Sequence, residues 1–283
     1  PKIETFKYPK AGEKNSEVSL HIYDVAAAAT KKVDLGKYND FYIARMQWTN
    51  DANVLCAQVL NRHQDNLDLL FIDGNTAASK VVLNEKDKAY VDINDNLTFL
   101  KDNSFIWTSE KDGFNHIYVY DKNGKLKNQV TKGNWEVVSY YGFDEKTKTI
   151  FYQSTENGSI NRDLYRIGLD GKNKVRLSSK TGTNKATFSP NFQYFINTYS
   201  SATQPTVYTL NDAKAGKEIQ VIENNQALAD KLKTYDLPSK EFIVLKTAKG
   251  NELNAWILKP KDFDPSKKYP VFMFQYSGPG SQQ

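Results

Sequence analysis

The sequence predicts a mainly β protein: a partial β-propeller of about four blades, followed by the first strands of a second, α/β domain. Three observations predict it. An apolar strand leading to an aromatic recurs at Met46-Gln47-Trp48, Leu97-Thr98-Phe99, Tyr141-Gly142-Phe143 and Ala186-Thr187-Phe188. The steps are about 51, 44 and 45 residues, the length of a four-stranded blade. Tyrosine and phenylalanine are abundant, at 17 and 15 of 283 residues, and both favour pleated, half-buried surfaces. Beyond residue 223 the pattern changes, and it ends in a nearly all-apolar run that suits a strand buried on both faces.

Taken in order, Val18 to Val25 alternates like the outer half of a blade whose inner half is missing. Four or so blades are too few to close a wide ring, so further blades are expected upstream. After each aromatic anchor comes a second strand, at Val54 to Val59, Ser104 to Thr108, Ile150 to Gln153 and Tyr194 to Tyr199. Third strands follow at Leu69 to Ile72, Ile117 to Tyr120, Leu164 to Ile167 and Val207 to Leu210. The turns Asp73-Gly74, Asp121-Lys122-Asn123-Gly124 and Asp170-Gly171 place Asp, Asn and Gly where a tight hairpin needs positive φ. Fourth strands are expected at Val81 to Leu83, Leu126 to Val130, Lys174 to Leu177 and Ile219 to Ile222.

A short helix is predicted at Asn225 to Leu232, with Leu228 and Leu232 at i, i+4 and Asn225 as candidate cap. Leu237-Pro238-Ser239 reads as a linker, which divides the chain into a propeller part, 1–237, and the start of the second domain, 238–283. There, strands at Phe242 to Leu245 and Leu253 to Leu258 flank a turn at Lys249-Gly250-Asn251. Tyr269 to Tyr276 reads as a central strand, and the loop Ser277-Gly278-Pro279-Gly280 follows it.

Composition narrows the function classes. The net charge is +5, but 38 basic and 33 acidic residues interleave, as in Glu85-Lys86-Asp87-Lys88. Nucleic acid would need a gathered basic face, so it is not expected as a partner. Mean hydropathy of −0.64 and the lack of a long apolar run predict no membrane-spanning helix. Cys56 is alone, so it forms no intrachain disulfide or cysteine metal cluster, and in Val54-Leu55-Cys56-Ala57 it reads as a small buried hydrophobe. The start at Pro1 carries no signal-peptide pattern, so any such peptide is expected to be removed or upstream. The sequons Asn96-Leu97-Thr98 and Asn157-Gly158-Ser159 are read as accidental.

Catalytic motifs are sparse. There is no G-x-S-x-G elbow, and Gly278-Pro279-Gly280-Ser281 has the wrong spacing and context for one. His21, His63 and His116 sit in blade repeats and read as edge or turn contacts. No H-E-x-x-H, EF-hand loop or P-loop is present, and no cofactor or metal is expected. Tyr276 is different. A buried strand that ends in a tyrosine and runs into a Gly-Pro loop is where an α/β-hydrolase sets part of its oxyanion hole. Alone, Tyr276 reads as a structural aromatic.

Several segments, in order along nearly the whole chain, change that. Tyr8-Pro9-Lys10-Ala11-Gly12, Asn61-Arg62-His63-Gln64, Ser109-Glu110-Lys111-Asp112-Gly113-Phe114-Asn115-His116 and Thr131-Lys132-Gly133-Asn134-Trp135-Glu136 come first. Asn161-Arg162-Asp163-Leu164-Tyr165, Lys267-Lys268-Tyr269-Pro270 and Tyr276-Ser277-Gly278-Pro279-Gly280-Ser281 follow. With them the chain resembles the dipeptidyl peptidase IV group of the prolyl oligopeptidase family of serine peptidases.

The resemblance implies an eight-bladed propeller over an α/β-hydrolase domain, with the active site between them. It implies removal of N-terminal X-Pro or X-Ala dipeptides from short peptides with a free N-terminus, by acyl transfer through a Ser-His-Asp triad. Carried onto this sequence, Tyr276 takes the oxyanion-hole position. The triad is expected downstream of Gln283, and the paired glutamates that grip the substrate amine upstream of Pro1. The chain alone is therefore expected to be inactive, and Tyr276 to lack the flanking strands that would hold it. The resemblance also implies a homodimeric whole protein in a bacterial periplasm or cell envelope.

Trp135 reads as an inter-blade pin and Arg62 as a blade-turn arginine that holds carboxylates or carbonyls. Near Tyr90-Val91-Asp92 the family extends a loop towards the active site, but this sequence is short there and no binding residue is carried over. Other readings are a non-catalytic propeller binding module, a sibling that releases tripeptides or cleaves internally, and a relative that has lost its serine.

Overall fold

The computed structural model describes residues 2–6, 8, 10–235, 237–276 and 278. It opens with the hairpin β1 (His21–Asp24) and β2 (Ala29–Lys32). The alternation of Val18 to Val25 predicts only the first of these strands. Four antiparallel four-stranded sheets follow, each a meander in which sequence neighbours pair. The first holds β3 (Phe41–Trp48), β4 (Val54–Asn61), β5 (Asn66–Asp73) and β6 (Ser79–Lys86). The second holds β7 (Thr98–Phe99), β8 (Phe105–Ser109), β9 (His116–Tyr120) and β10 (Leu126–Gln129). The third holds β11 (Val137–Asp144), β12 (Thr149–Ser154), β13 (Asp163–Gly168) and β14 (Val175–Arg176). The fourth holds β15 (Thr183–Phe188), β16 (Tyr194–Ser200), β17 (Val207–Asp212) and β18 (Glu218–Glu223). All sixteen predicted blade strands are present, so each sheet is a blade.

The chain divides into two compact units, residues up to Asp112 with Ile117–Gln129, and Gly113–His116 with Val130 onward. In the first unit, β4 shows how the core is made. Every residue from Leu55 to Leu60 is buried. Cys56 and Leu60 face a cluster with Leu67, Leu69, Phe105, Trp107, Tyr118 and Tyr120, so they pack the first blade on the second. Leu55, Ala57 and Val59 point the other way, into a cluster with Leu20, Val33, Phe41 and Ile72. Period-2 alternation thus feeds two cores at once, and each fully buried aliphatic side chain contributes about 1.5–3 kcal/mol. In the second unit, Phe151, Leu164 and Leu177 of the third blade pack on Ala186 and Phe195 of the fourth.

The predicted turns are partly as expected. Gly124 and Gly171 take φ of 82° and 79°. In the turn after β5 the left-handed residue is Ala77, φ 60°, and not Gly74. Gly74 is small for another reason: a Cβ there would lie 3.1 Å from the Asn53 carbonyl oxygen, to which its own N–H donates at 2.6 Å.

Beyond the blades come α1 (Gln226–Lys233) and the hairpin β19 (Lys240–Lys246) and β20 (Glu252–Leu258). Two expectations are corrected here. Asn225 does not cap α1 with its side chain; it lies in the left-handed region at φ 49°, and its amide donates to the Thr206 carbonyl at 2.6 Å. Tyr269 to Tyr276 forms no strand, and Val271, Phe272 and Met273 are 87%, 92% and 80% exposed. A strand buried on both faces exists only between hydrogen-bonded neighbours, and among the described residues none pairs with this segment.

Candidate functional site

In three blades the polar side chain that opens the third strand meets another polar side chain near the end of the fourth. In the first blade the Asn84 amide donates to Asn66 Oδ1 at 3.1 Å. In the second, His116 Nδ1 lies 3.1 Å from Thr131 Oγ1. In the third, the Ser178 hydroxyl donates to Asp163 Oδ1 at 2.7 Å, and Arg176 adds an ion pair at 2.8 Å. His116 and Asp163 are wholly buried, so each needs these partners. The sequence shows only an unrelated Asn, His and Asp at these positions, and the signal that could have found them is their common place as the first residue of the third strand in those three blades.

Trp135 lies between two blades' side chains. It meets His116 edge to face, at 4.9 Å, and stacks on Tyr152 at 6.4 Å, which in turn stacks on Tyr165 at 5.5 Å. Lys174 pairs with Glu156 and sits 5.8 Å from the Trp135 ring. These contacts are those of a pin.

A charged cluster in the first unit went unnoticed in the sequence. The Ser109 hydroxyl donates to Glu85 at 2.7 Å, and burial pushes the Glu85 carboxyl up despite that bond and the nearby Lys111 charge. Lys111 Nζ sits 3.9 Å over the Tyr118 ring and donates to the Tyr120 hydroxyl at 2.5 Å. Burial pushes its ammonium down, against the charges of Glu85 and Asp112. Residues from β6, the end of β8 and β9 are brought together here, which no local pattern foretells.

The residues singled out from sequence are scattered. Tyr276 is 63% exposed and in no strand, and Ser277 and residues 279–283 of its loop lie outside the described residues. His21 is exposed beside Ser19, and His63 is an exposed turn residue. Among the described residues Arg62 pairs with no carboxylate; its guanidinium lies 5.4 Å from the Tyr42 ring centroid. Cys56 is buried, and burial alone pushes its thiol up to about 12, so it is inert as a nucleophile. Among the described residues no Ser, His and Asp come together as a triad, and no three potential metal-ligating side chains cluster. No helix of the described residues is long and apolar enough to cross a membrane.

Comparison with known proteins gives this arrangement a family. Residues 1–206 match the model of the dipeptidyl peptidase IV N-terminal region. The dipeptidyl peptidase 4 proteins of Trichophyton equinum and Trichophyton rubrum are 30% identical over 296 aligned positions, which cover 100% of this chain and 38% of theirs. The crystal structure of Porphyromonas gingivalis dipeptidyl peptidase 4 superposes with a TM-score of 0.90 at 47% identity, over 98% of this chain and 40% of that one. The chain thus spans about two fifths of the length of the relatives it matches. The mainly β, partial-propeller fold expected from the repeats is the fold of that structure. With most of its length matched by the family model, this chain belongs to the dipeptidyl peptidase IV family, as part of its N-terminal β-propeller region.

Proposed function

We propose that this chain is the propeller portion of a serine exopeptidase that releases X-Pro or X-Ala dipeptides from the free N-terminus of short peptides. The observation that carries this reading is the likeness to Porphyromonas gingivalis dipeptidyl peptidase 4, at 47% identity over 98% of the chain. In the proposed reaction a serine attacks the scissile carbonyl, and negative charge develops on its oxygen. Tyr276 is the group this chain supplies: its hydroxyl donates a hydrogen bond to that oxygen, at roughly 2.7–3.1 Å in a formed site. The nucleophile, histidine and aspartate come from the rest of the protein, and the 283-residue chain is inactive alone.

In this reading residues 1–237 are propeller and 238–283 open the hydrolase domain. The switch from four-stranded blades to α1 and a separate hairpin supports that division. A homodimeric whole protein in a bacterial periplasm or envelope belongs to the same proposal.

The test is release of chromophore from Gly-Pro and Ala-Pro substrates by the whole protein and by this chain. Activity in the whole protein alone is the expected result. A whole protein silent on these but active on blocked or longer peptides would replace the reading with that of a sibling peptidase.

A further inference from the structure

Arg162, of the Asn161-Arg162-Asp163-Leu164-Tyr165 motif, has no part in that reading, yet both its backbone and its side chain are tied down. It ends the loop between β12 and β13 of the third blade. Its N–H donates to the Gly182 carbonyl at 2.9 Å. Its own carbonyl accepts from the Asn184 N–H at 2.9 Å and from the Asn184 side-chain amide at 3.1 Å. Asn184 lies wholly buried in β15, so the backbone of Arg162 is fastened to the first strand of the fourth blade. The guanidinium turns back into its own loop, where Nη1 donates to the carbonyls of Ser159 and Asn161, both at 2.8 Å. Burial pushes it down, against the charge of Glu136. A half-buried cation that binds two loop carbonyls fixes the shape of the loop.

That loop presents Ser159. The Ser159 hydroxyl accepts a hydrogen bond at 2.8 Å from the side-chain amide of Asn254, 95 residues further on in β20. The third blade, the fourth blade and the β19–β20 hairpin belong to one compact unit. The hairpin buries little of its own surface, with six of the seven residues exposed in each strand. A two-stranded hairpin is at best marginally stable by itself. A fixed contact on a blade therefore decides where it sits.

We propose that the Ser159 loop, held in shape by Arg162, is the post on which the third blade docks the hairpin, and that it thereby orients the segment that follows, with Tyr276. The docking rests on contacts within this chain. The orienting role rests also on the reading of 238–283 as the opening of the hydrolase domain. In that reading Arg162 and Ser159 are positioning residues for the oxyanion-hole tyrosine.

The test is hydrogen exchange in the 283-residue chain, read by mass spectrometry on peptides that cover 240–258. Ser159→Ala removes the acceptor and should speed exchange of the hairpin about threefold or more, as for the loss of one hydrogen bond. Peptides from β12 and β13 should keep their rates. Arg162→Gln should act like Ser159→Ala. Ser159→Thr keeps the hydroxyl, and Asn254→Asp accepts from it instead of donating, so both should stay near the natural rate. A hairpin that already exchanges like an unstructured peptide, or one indifferent to Ser159→Ala, would overturn the docking. Should Arg162→Gln disturb the blade, Ser159→Ala decides. In the whole protein Ser159→Ala should lower kcat on Gly-Pro substrates about threefold or more and leave KM unchanged, because Tyr276 acts on charge that develops in the transition state. Faster hairpin exchange with an unchanged kcat would overturn the orienting role. A whole protein with no dipeptide release would remove the exopeptidase reading, and the exchange rates would still decide the docking.

Discussion

His116 meets the Trp135 ring edge to face, with planes at 88° and centroids 4.9 Å apart, while both its ring nitrogens are engaged. Nε2 lies 3.0 Å from the Gly133 carbonyl and must be the donor there, since a carbonyl only accepts. Nδ1 lies 3.1 Å from the Thr131 hydroxyl. One buried imidazole therefore fixes the segment that leads from the second blade to the third. His116→Ala removes both bonds and leaves a cavity, and should cost about 2–4 kcal/mol in urea unfolding. His116→Asn should cost clearly less, because Asn66 already fills the equivalent place in the first blade through Asn84. Equal losses for both variants would show that ring volume alone matters.

Gly124 and Gly36 separate backbone strain from steric contact. Both have positive φ, 82° and 59°. A Cβ on Gly124 would fall 1.5 Å from the Val82 carbonyl oxygen, whereas one on Gly36 would meet nothing within 4 Å. Gly36→Ala should cost about 1–2 kcal/mol, the left-handed penalty of a residue with a Cβ. Gly124→Ala must also push β6 away from the turn, so its unfolding midpoint should fall further. A loss no greater than that of Gly36→Ala would mean the turn moves freely.

Cys56 offers a probe of the first core. Its thiol is 1% exposed and pushed up to about 12 by burial. In native protein at pH 8 a disulfide reagent should leave it unmodified for hours, and in denaturant it should react at once. Fast native labelling would mean that the packing of the first blade on the second opens readily.

Glu85 gives a pH signature. Burial holds its carboxyl above the ordinary 4.5 in the folded chain. The folded state then binds its proton more tightly than the unfolded state does. Its contribution is fully present below 4.5 and is lost as pH rises through the raised folded value. Glu85→Gln has no charge to desolvate and can still hydrogen-bond Ser109. The variant should gain stability relative to the natural chain as pH rises across that window. A pH-independent difference in urea midpoints would place Glu85 in a more solvated setting.

Much of the fold is legible in the residues themselves. Strand alternation, the aromatic anchors of about 45-residue spacing and the Asp-Asn-Gly turns are local, and they mark all sixteen blade strands. The order of the motifs from Asn61 to Tyr276 also marks the family, because each is carried by neighbours in the chain.

The local pattern is silent where a group's environment comes from a distant strand. Asn225 looks like a helix cap, but the Thr206 carbonyl 19 residues away captures its amide. Tyr269 to Tyr276 is apolar enough for a central strand, yet Val271 to Phe274 are exposed, and among the described residues no strand pairs with the segment. Arg62 looks like a holder of carboxylates or carbonyls and lies over Tyr42 instead. The sequence by itself determined how many blades there are and where each begins and turns, since backbone preference and side-chain period act over a few residues. Only the tertiary structure decided which polar groups lose water and must find a partner. Desolvation is set by what packs on the other side, and for His116, Asp163 and Glu85 that comes from another strand.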